Sequence, residues 1–141
     1  MTAEQYLEQV KQYDVIIVNK MRDYKHWKNI ADSLGGFSVG ERVQSTKNLH
    51  KGADAIDTYL DIDNEIKELK EKRQAIIDTL QMLPYDEYDV LYKLYVEYDY
   101  NLKVIMVEKG MSYAWVKWKK QRGLEHLQEI LDKNLAFVSP S

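Results

Sequence analysis

Apolar side chains recur along the first quarter of the chain in alternating steps of three and four residues. Between Ala3 and Leu34 ten positions keep this spacing, and only Lys20 among them is charged. The positions are Ala3, Tyr6, Val10, Tyr13, Ile17, Lys20, Tyr24, Trp27, Ala31 and Leu34. A mean step of about 3.5 residues, kept for about four heptads without Gly or Pro, predicts a long coiled-coil-like helix.

The same spacing returns between Gly52 and Leu83, where only Arg73 interrupts it. Its positions are Ala55, Tyr59, Ile62, Ile66, Leu69, Arg73, Ile76, Leu80 and Leu83. Because the two segments match in length, they are predicted to fold back on each other as an antiparallel helical hairpin. Packing of the stripes against a second copy of the chain fits the spacing equally well. Residues 34–52 contain four glycines, which predict a long loop that is either functional or a plain connector.

Shorter elements are predicted after Pro84. Because proline suits the first turn of a helix, Pro84 is expected to end the second helix and begin a third that runs to about Tyr98. Its apolar face consists of Val90, Leu91, Leu94 and Tyr95. Asn101 is the predicted N-cap of a fourth, short helix. The inward residues of that helix are Leu102, Ile105 and Met106.

Gly110 and Ser112 indicate a tight turn before the last helix. Gly110 suits the left-handed position that ends a helix, and Ser112 suits the N-cap of a fifth helix that runs to about Asn134. The sequence therefore predicts an all-α chain. Its parts are a long helical hairpin over 1–83, a second domain over 84–134 and a flexible tail over 135–141.

The predicted fifth helix carries a local excess of positive charge. The chain as a whole has a formal charge of −3, yet residues 112–123 hold four cations and no acid. An anionic partner is therefore expected to meet the chain at this helix, because a cluster of like charges outweighs a small net charge of opposite sign.

Composition narrows the class of protein. With 45% apolar and 30% charged residues the chain is expected to fold, and no apolar run is long enough to cross a membrane. Since no signal-peptide pattern is present, the cytoplasm is the expected location. The lack of cysteine excludes disulfides and thiolate metal sites. The three histidines are scattered and expected at the surface, and no phosphate-binding glycine loop occurs, so no catalysis, metal or cofactor is predicted.

The last fifty residues resemble region 4 of sigma factors, the C-terminal helix-turn-helix of those proteins. The residues that carry the resemblance are Leu83-Pro84, Val90-Leu91, Tyr95-Val96-Glu97, Ile105, Gly110-Met111-Ser112, Val116 and Leu127. With the two long helices ahead of this segment, the whole chain is similar to the ArpU-like and RinA-like late-transcription regulators of Gram-positive phages. The resemblance implies a protein that binds double-stranded DNA in the cytoplasm of a bacterial host cell, with RNA polymerase as a further candidate partner.

A recognition helix packs one side against its own domain and presents the other to the major groove. The predicted packed stripe consists of Val116, Gly123, Leu127 and Ile130 or Leu131. The predicted DNA-binding residues are Ser112, Tyr113, Ala114, Lys117, Trp118, Lys119, Lys120, Gln121 and Arg122. Trp115 and Trp118 are candidates for either core or contact residues, and at least one is expected to pack against the third helix.

The function predicted from these features is DNA-binding regulation of phage or prophage transcription, of late genes in particular. A second copy of the chain, bound through the long helices, is a further candidate partner. Two alternatives stay open. A small terminase-like subunit for DNA packaging combines the same kinds of helices, and a helical protein-interaction module would use them without DNA.

Overall fold

The computed structural model describes residues 1–35 and 46–138, with the side chains of 1–33 and 53–134. The helices are α1 (Ala3–Gly35), α2 (Thr46–Leu80), α3 (Tyr85–Leu91), α4 (Leu102–Lys109) and α5 (Tyr113–Val138), with a π-helical turn over Tyr92–Val96. No strand occurs in the parts of the chain that the structure describes. The predicted all-α class is therefore confirmed.

Two element boundaries differ from those predicted. Because α2 begins at Thr46, the last residues of the predicted 34–52 loop are helical, and 36–45 lie outside the described residues. Helix α5 continues to Val138, beyond the predicted end near Asn134, so part of the predicted tail is helical and 139–141 lie outside the described residues. None of the described helices is long and apolar enough to cross a membrane.

The contacts of the chain group it into two compact units. One unit joins Met1–Tyr13 to the residues from Lys72 onward, and the second comprises Asp14–Glu71. The division predicted from the sequence, between residues 83 and 84, stays a prediction.

The second unit is built from parts of α1 and α2 that contact each other through the predicted stripes. Its buried hydrophobic residues are Ile17, Ala31, Ala55 and Ile66. Lys20, the charged exception in the first stripe, forms an ion pair with Glu65. The Tyr24 and Tyr59 rings meet edge to face with 5.5 Å between centroids. As residue numbers rise along α1 those of the partners on α2 fall, so the two segments run antiparallel; the complete hairpin, including its connection, stays a prediction.

The first unit has a core to which both long helices contribute. Its buried members are Ala3, Leu7, Val10, Ile76, Ile77, Leu80, Leu83, Leu91, Val96 and Leu127. The Ala3 amide donates to Oε1 of Gln128 at 2.7 Å, and the Tyr6 hydroxyl donates to Oγ1 of Thr79 at 3.1 Å. The side chains at the beginning of α1 and the end of α2 therefore help to hold α5 in place.

A smaller core joins α3, α4 and α5. Val90, Ile105 and Val116 each have no exposed surface, and one comes from each helix. Partly buried residues packed against them are Leu94, Tyr100, Leu102, Met106 and Trp115. The predicted apolar faces of the third and fourth helices are therefore confirmed.

The residues that cap both ends of α4 and the beginning of α5 are those predicted from the sequence. Asn101 caps α4, since its side-chain oxygen accepts a hydrogen bond from the Val104 amide at 2.9 Å. Gly110 ends α4 in the left-handed conformation with φ of 68°. Oγ of Ser112 accepts from the Trp115 amide at 3.1 Å and caps α5. These predicted caps are confirmed, and they set the angle at which α5 leaves the turn.

The third helix departs from its predicted form. It is α-helical only to Leu91, and the turn over Tyr92–Val96 is π-helical, with the Glu97 amide donating to the Tyr92 carbonyl at 3.0 Å. In an α-helix, residues five apart point about 140° away from each other. The wider turn lets Leu91 and Val96, five positions apart, enter the same core.

Candidate nucleic-acid interface

One side of α5 is packed against the rest of the first unit. Val116 and Leu127 have no exposed surface, Gly123 is buried, and Ile130 and Leu131 are half-buried. The predicted packed stripe is confirmed. Because α5 is anchored along this stripe, its opposite side is free to meet a partner.

Gly123 lies where α5 packs closely against α3. A Cβ atom at this position would lie 2.8 Å from Cδ1 of Leu91 and 3.3 Å from Cβ of Glu87. Real Cβ contacts of 2.8 Å are essentially not observed, so the absence of a side chain allows the two helices to pack at this distance.

Most of the predicted DNA-binding residues lie on the opposite side and along its edges. Lys120 is the exception, because it follows Val116 by four residues and precedes Gly123 by three, so its stem lies toward the packed side, where it lines one pocket with Lys117, Gln121 and Leu124. Exposed are Ser112, Tyr113, Ala114, Lys117, Trp118, Gln121 and Arg122, whereas Lys119 and Lys120 are half-buried. The structure thus brings the predicted residues together on the first turns of α5. Ser112 already has a structural task, because its hydroxyl caps the helix.

The two tryptophans of α5 have different environments. Trp115 is half-buried and packs against the core residues Val90, Ile105 and Val116, as expected of at least one of the pair. Trp118 has 53% of its surface exposed. Nζ of Lys119 lies 4.7 Å from the ring centroid of Trp118 and 5.6 Å from that of Trp115. These cation–π contacts keep the ammonium of Lys119 close to the helix surface.

The cations of α5 are not equally available to an anion. Within the described residues, Lys117 and Lys120 form no ion pair, whereas Arg122 pairs with Glu125 at 3.1 Å. From Ser112 to Leu124 the sequence contains no acid, so Lys117 and Lys120 carry the least compensated charge. The predicted contribution of Arg122 is weakened, because an anion has to compete with the Glu125 carboxylate.

Asp89 of α3 is paired with two lysines near the half-buried Trp115, since Nζ of Lys109 also lies 5.8 Å from the centroid of that ring. Nζ of Lys109 lies 2.6 Å from Oδ2 of Asp89, and Nζ of Lys93 lies 3.4 Å from both Asp89 and Glu108. Burial lowers the pKa of Lys93, but the carboxylates of Asp89 and Glu108 outweigh burial and hold that pKa above its ordinary value. This network links α3 to α4 and keeps its carboxylates occupied with these two lysines.

The sequence did not predict the contact between a buried carboxylate and a histidine ring that joins α3 to α5. Glu87 is only 4% exposed, and its Oε2 lies 2.7 Å from Nδ1 of His126. His126, which was expected at the surface, is about one-third exposed and also contacts this buried carboxylate. The available signal was spacing: His126 follows Gly123 by three residues and precedes Leu127, so it lies at the edge of the packed stripe.

The face of α5 opposite the packed stripe is therefore cationic, aromatic and solvent-exposed, and it follows a three-residue turn after α4. Comparison with known proteins does not assign a family to the chain or a function to this face. No protein family, no curated protein and no solved structure matches the chain.

Proposed function

We propose that this chain is a DNA-binding transcription regulator of a phage or prophage, acting on late genes, with α5 as the recognition helix. The observation that carries the proposal is the exposed, acid-free cationic face over the first turns of α5, opposite its packed stripe. The resemblance of residues 83–127 to sigma region 4, and of the whole chain to ArpU-like and RinA-like regulators, supports transcription as the process.

The placement of α5 suits entry into a major groove. A groove about 12 Å wide admits one α-helix, and the residues at the beginning of that helix reach the base edges. The turn at Gly110 and the cap at Ser112 leave the first residues of α5 exposed, while Val116 fixes the helix to α3 and α4. The first turns of α5 are therefore fixed on one side by core packing and exposed to solvent on the other.

The side chains of this face fall into two roles. Lys117 and Lys120 are suited to phosphate oxygens, which position a protein on the duplex without reading its sequence. Gln121 is suited to the edge of an adenine, and the methyl group of Ala114 to that of a thymine. Tyr113 is exposed on the same turn as Ala114 and adds an apolar surface with a hydroxyl at its end.

The proposal is tested by fluorescence anisotropy with a labelled duplex from the promoter region next to the gene and an unrelated duplex, each at two salt concentrations. We expect tighter binding to the promoter duplex. The slope of log K against log salt is negative, and each phosphate contact adds about 0.9 to its steepness. The double variant Lys117→Ala, Lys120→Ala should therefore make the slope less steep by about two.

Lys133→Ala is the matched control, since Lys133 is an exposed lysine on the same helix outside the proposed face. It should change the slope little, and circular dichroism should show equal helicity for all variants. If neither duplex binds at low salt, the proposal fails and the interaction module without DNA becomes the better hypothesis. If the double variant binds as the wild type does, α5 is not the recognition helix.

A further inference from the structure

Trp118 is a large apolar side chain in the exposed face of α5. More than half of its surface is exposed, whereas Trp115 on the same helix packs against the smaller core. Tryptophan is highly buried on average, because its ring carries a large apolar area. Since single exposed apolar residues are also common, the position of Trp118 on the helix decides what would cover it.

Helical spacing places Trp118 opposite the packed stripe. It follows the fully buried Val116 by two residues, and such residues point about 160–200° away from each other. Ala114 and Gln121 lie on the same exposed row, since Ala114 precedes Trp118 by four residues and Gln121 follows it by three. At about 1.5 Å per residue the row from Ala114 to Gln121 is about 10 Å long, and Trp118 lies near its middle.

Cations lie on both sides of this row. Lys117 is exposed on the side of α4, where it lines a pocket with Leu102. Lys119 lies on the other side, where its ammonium contacts the rings of Trp115 and Trp118. Residues 112–124 contain no acid. A polyanion that is attracted by these cations therefore covers Trp118 at the same time.

The row ends at an acid. Glu125 follows Gln121 by four residues, is exposed, and is the first acid after the cationic stretch. Its Oε2 lies 3.1 Å from Nη1 of Arg122. Because a carboxylate repels phosphate, a nucleic acid that covers Trp118 is expected to end its contact before Glu125. The contact length from Ala114 to Gln121 then corresponds to about three base pairs, at about 3.4 Å each.

The surroundings of the ring indicate which part of a nucleic acid it meets. Nζ of Lys119 lies 4.7 Å from the ring centroid of Trp118, and in such a contact the cation covers one ring face. Stacking on unpaired bases uses ring faces, whereas a duplex presents base edges in its major groove. Most recognition groups on those edges are polar donors and acceptors, and the apolar one is the C5-methyl group of thymine. An apolar ring in the groove therefore matches thymine.

We propose that Trp118 is a specificity-determining residue that reads thymine, because its indole ring packs against thymine C5-methyl groups in the major groove. The inference rests on the proposed function, in which α5 enters that groove. Lys117 and the other cations hold the duplex without reading it, and Trp118 adds a contact that depends on the base. Burial of one methyl group increases affinity about fourfold.

The experiment is fluorescence anisotropy with the promoter duplex and with the same duplex in which deoxyuridine replaces every thymidine. Deoxyuridine lacks the methyl group but keeps the pairing and the O4 acceptor. The wild type should bind the thymidine duplex at least about fourfold more tightly. Trp118→Ala should reduce this ratio about fourfold. Trp118→Phe should keep most of the ratio, because it keeps an apolar ring and loses only the indole N–H donor.

Lys117→Ala is the matched control, since it removes a neighbouring cation and leaves the ring in place. It should weaken binding to both duplexes equally and leave their ratio unchanged, and circular dichroism should show equal helicity for all variants. Equal binding of both duplexes by the wild type overturns the inference and leaves the proposed function intact. A ratio that persists in Trp118→Ala also overturns it, because another group then reads the methyl. If neither duplex binds, the proposed function fails and this inference fails with it.

Discussion

Gly123 allows a prediction in which two opposing effects can be weighed. Replacing glycine by alanine inside a helix stabilises the helix by about 1 kcal/mol when the site is open. At Gly123 the site is closed, because the new Cβ would lie 2.8 Å from Cδ1 of Leu91, a side chain with no exposed surface. Overpacking of a buried site costs about 1–3 kcal/mol, so Gly123→Ala should lower the free energy of unfolding by about 1 kcal/mol.

The same contact predicts that the effect changes sign when Leu91 is shortened. Leu91→Ala alone should cost about 2–5 kcal/mol, since it leaves a cavity in the core. In that background the methyl group of Gly123→Ala has room, apart from Cβ of Glu87 at 3.3 Å. The second substitution should then stabilise the protein by about 0.5–1 kcal/mol, which is the helix preference of alanine with the clash removed.

The measurement is urea unfolding followed by circular dichroism for the wild type, both single variants and the double variant. The coupling energy of the cycle should favour the double variant by about 1.5–2 kcal/mol. If Gly123→Ala stabilises the wild type, or if its effect is the same in both backgrounds, then the approach of α5 to α3 is not limited by Leu91 and the packing described here is wrong.

Other substitutions test separate parts of the unit. Asn101→Ala should lower the free energy of unfolding by about 1 kcal/mol in the same urea assay and Asn101→Asp by less, because aspartate can still cap α4; equal losses would contradict the capping role. Glu87→Gln should cost about 1 kcal/mol at neutral pH, since the contact with the partly exposed His126 loses its charge, and thermal melts should show little further loss when His126→Ala is added. Burial and the nearby Glu4 carboxylate raise the pKa of Tyr95, so the folded state favours the protonated phenol. That contribution is complete below about pH 10 and is lost as pH rises further, so Tyr95→Phe should show a shallower alkaline loss of melting temperature than the wild type.

Much of the first unit's local structure could be predicted from short segments of sequence. Asn101, Gly110 and Ser112 act on backbone groups within four residues, so their roles are visible without knowledge of the fold. The stripe through Val116 and Leu127 was likewise visible, because helical spacing alone separates a packed side from an exposed one. Most of the candidate interface follows from that separation.

Features that depend on distant partners could not be predicted. The spacing of Ala3 and Val10 indicates that they are buried, but it does not indicate that they share a core with Leu127. The contact of Glu87 with His126 joins residues 39 positions apart, and a lone acid in a short helix gives no sign of its partner. The π-helical turn has the same origin, because it is favoured by the core that receives Leu91 and Val96 rather than by a local signal.

The hydrogen bond between Ala3 and Gln128 closes a loop of 125 residues, and this has a consequence during protein synthesis. The beginning of α1 leaves the ribosome long before α5, so Leu7 and Val10 have to wait for Leu127 to complete their core. A translation product that stops before α5 would expose this apolar side to chaperones and proteases. An unfinished chain that lacks α5 would therefore be recognised through the same apolar residues that form the core of the folded unit.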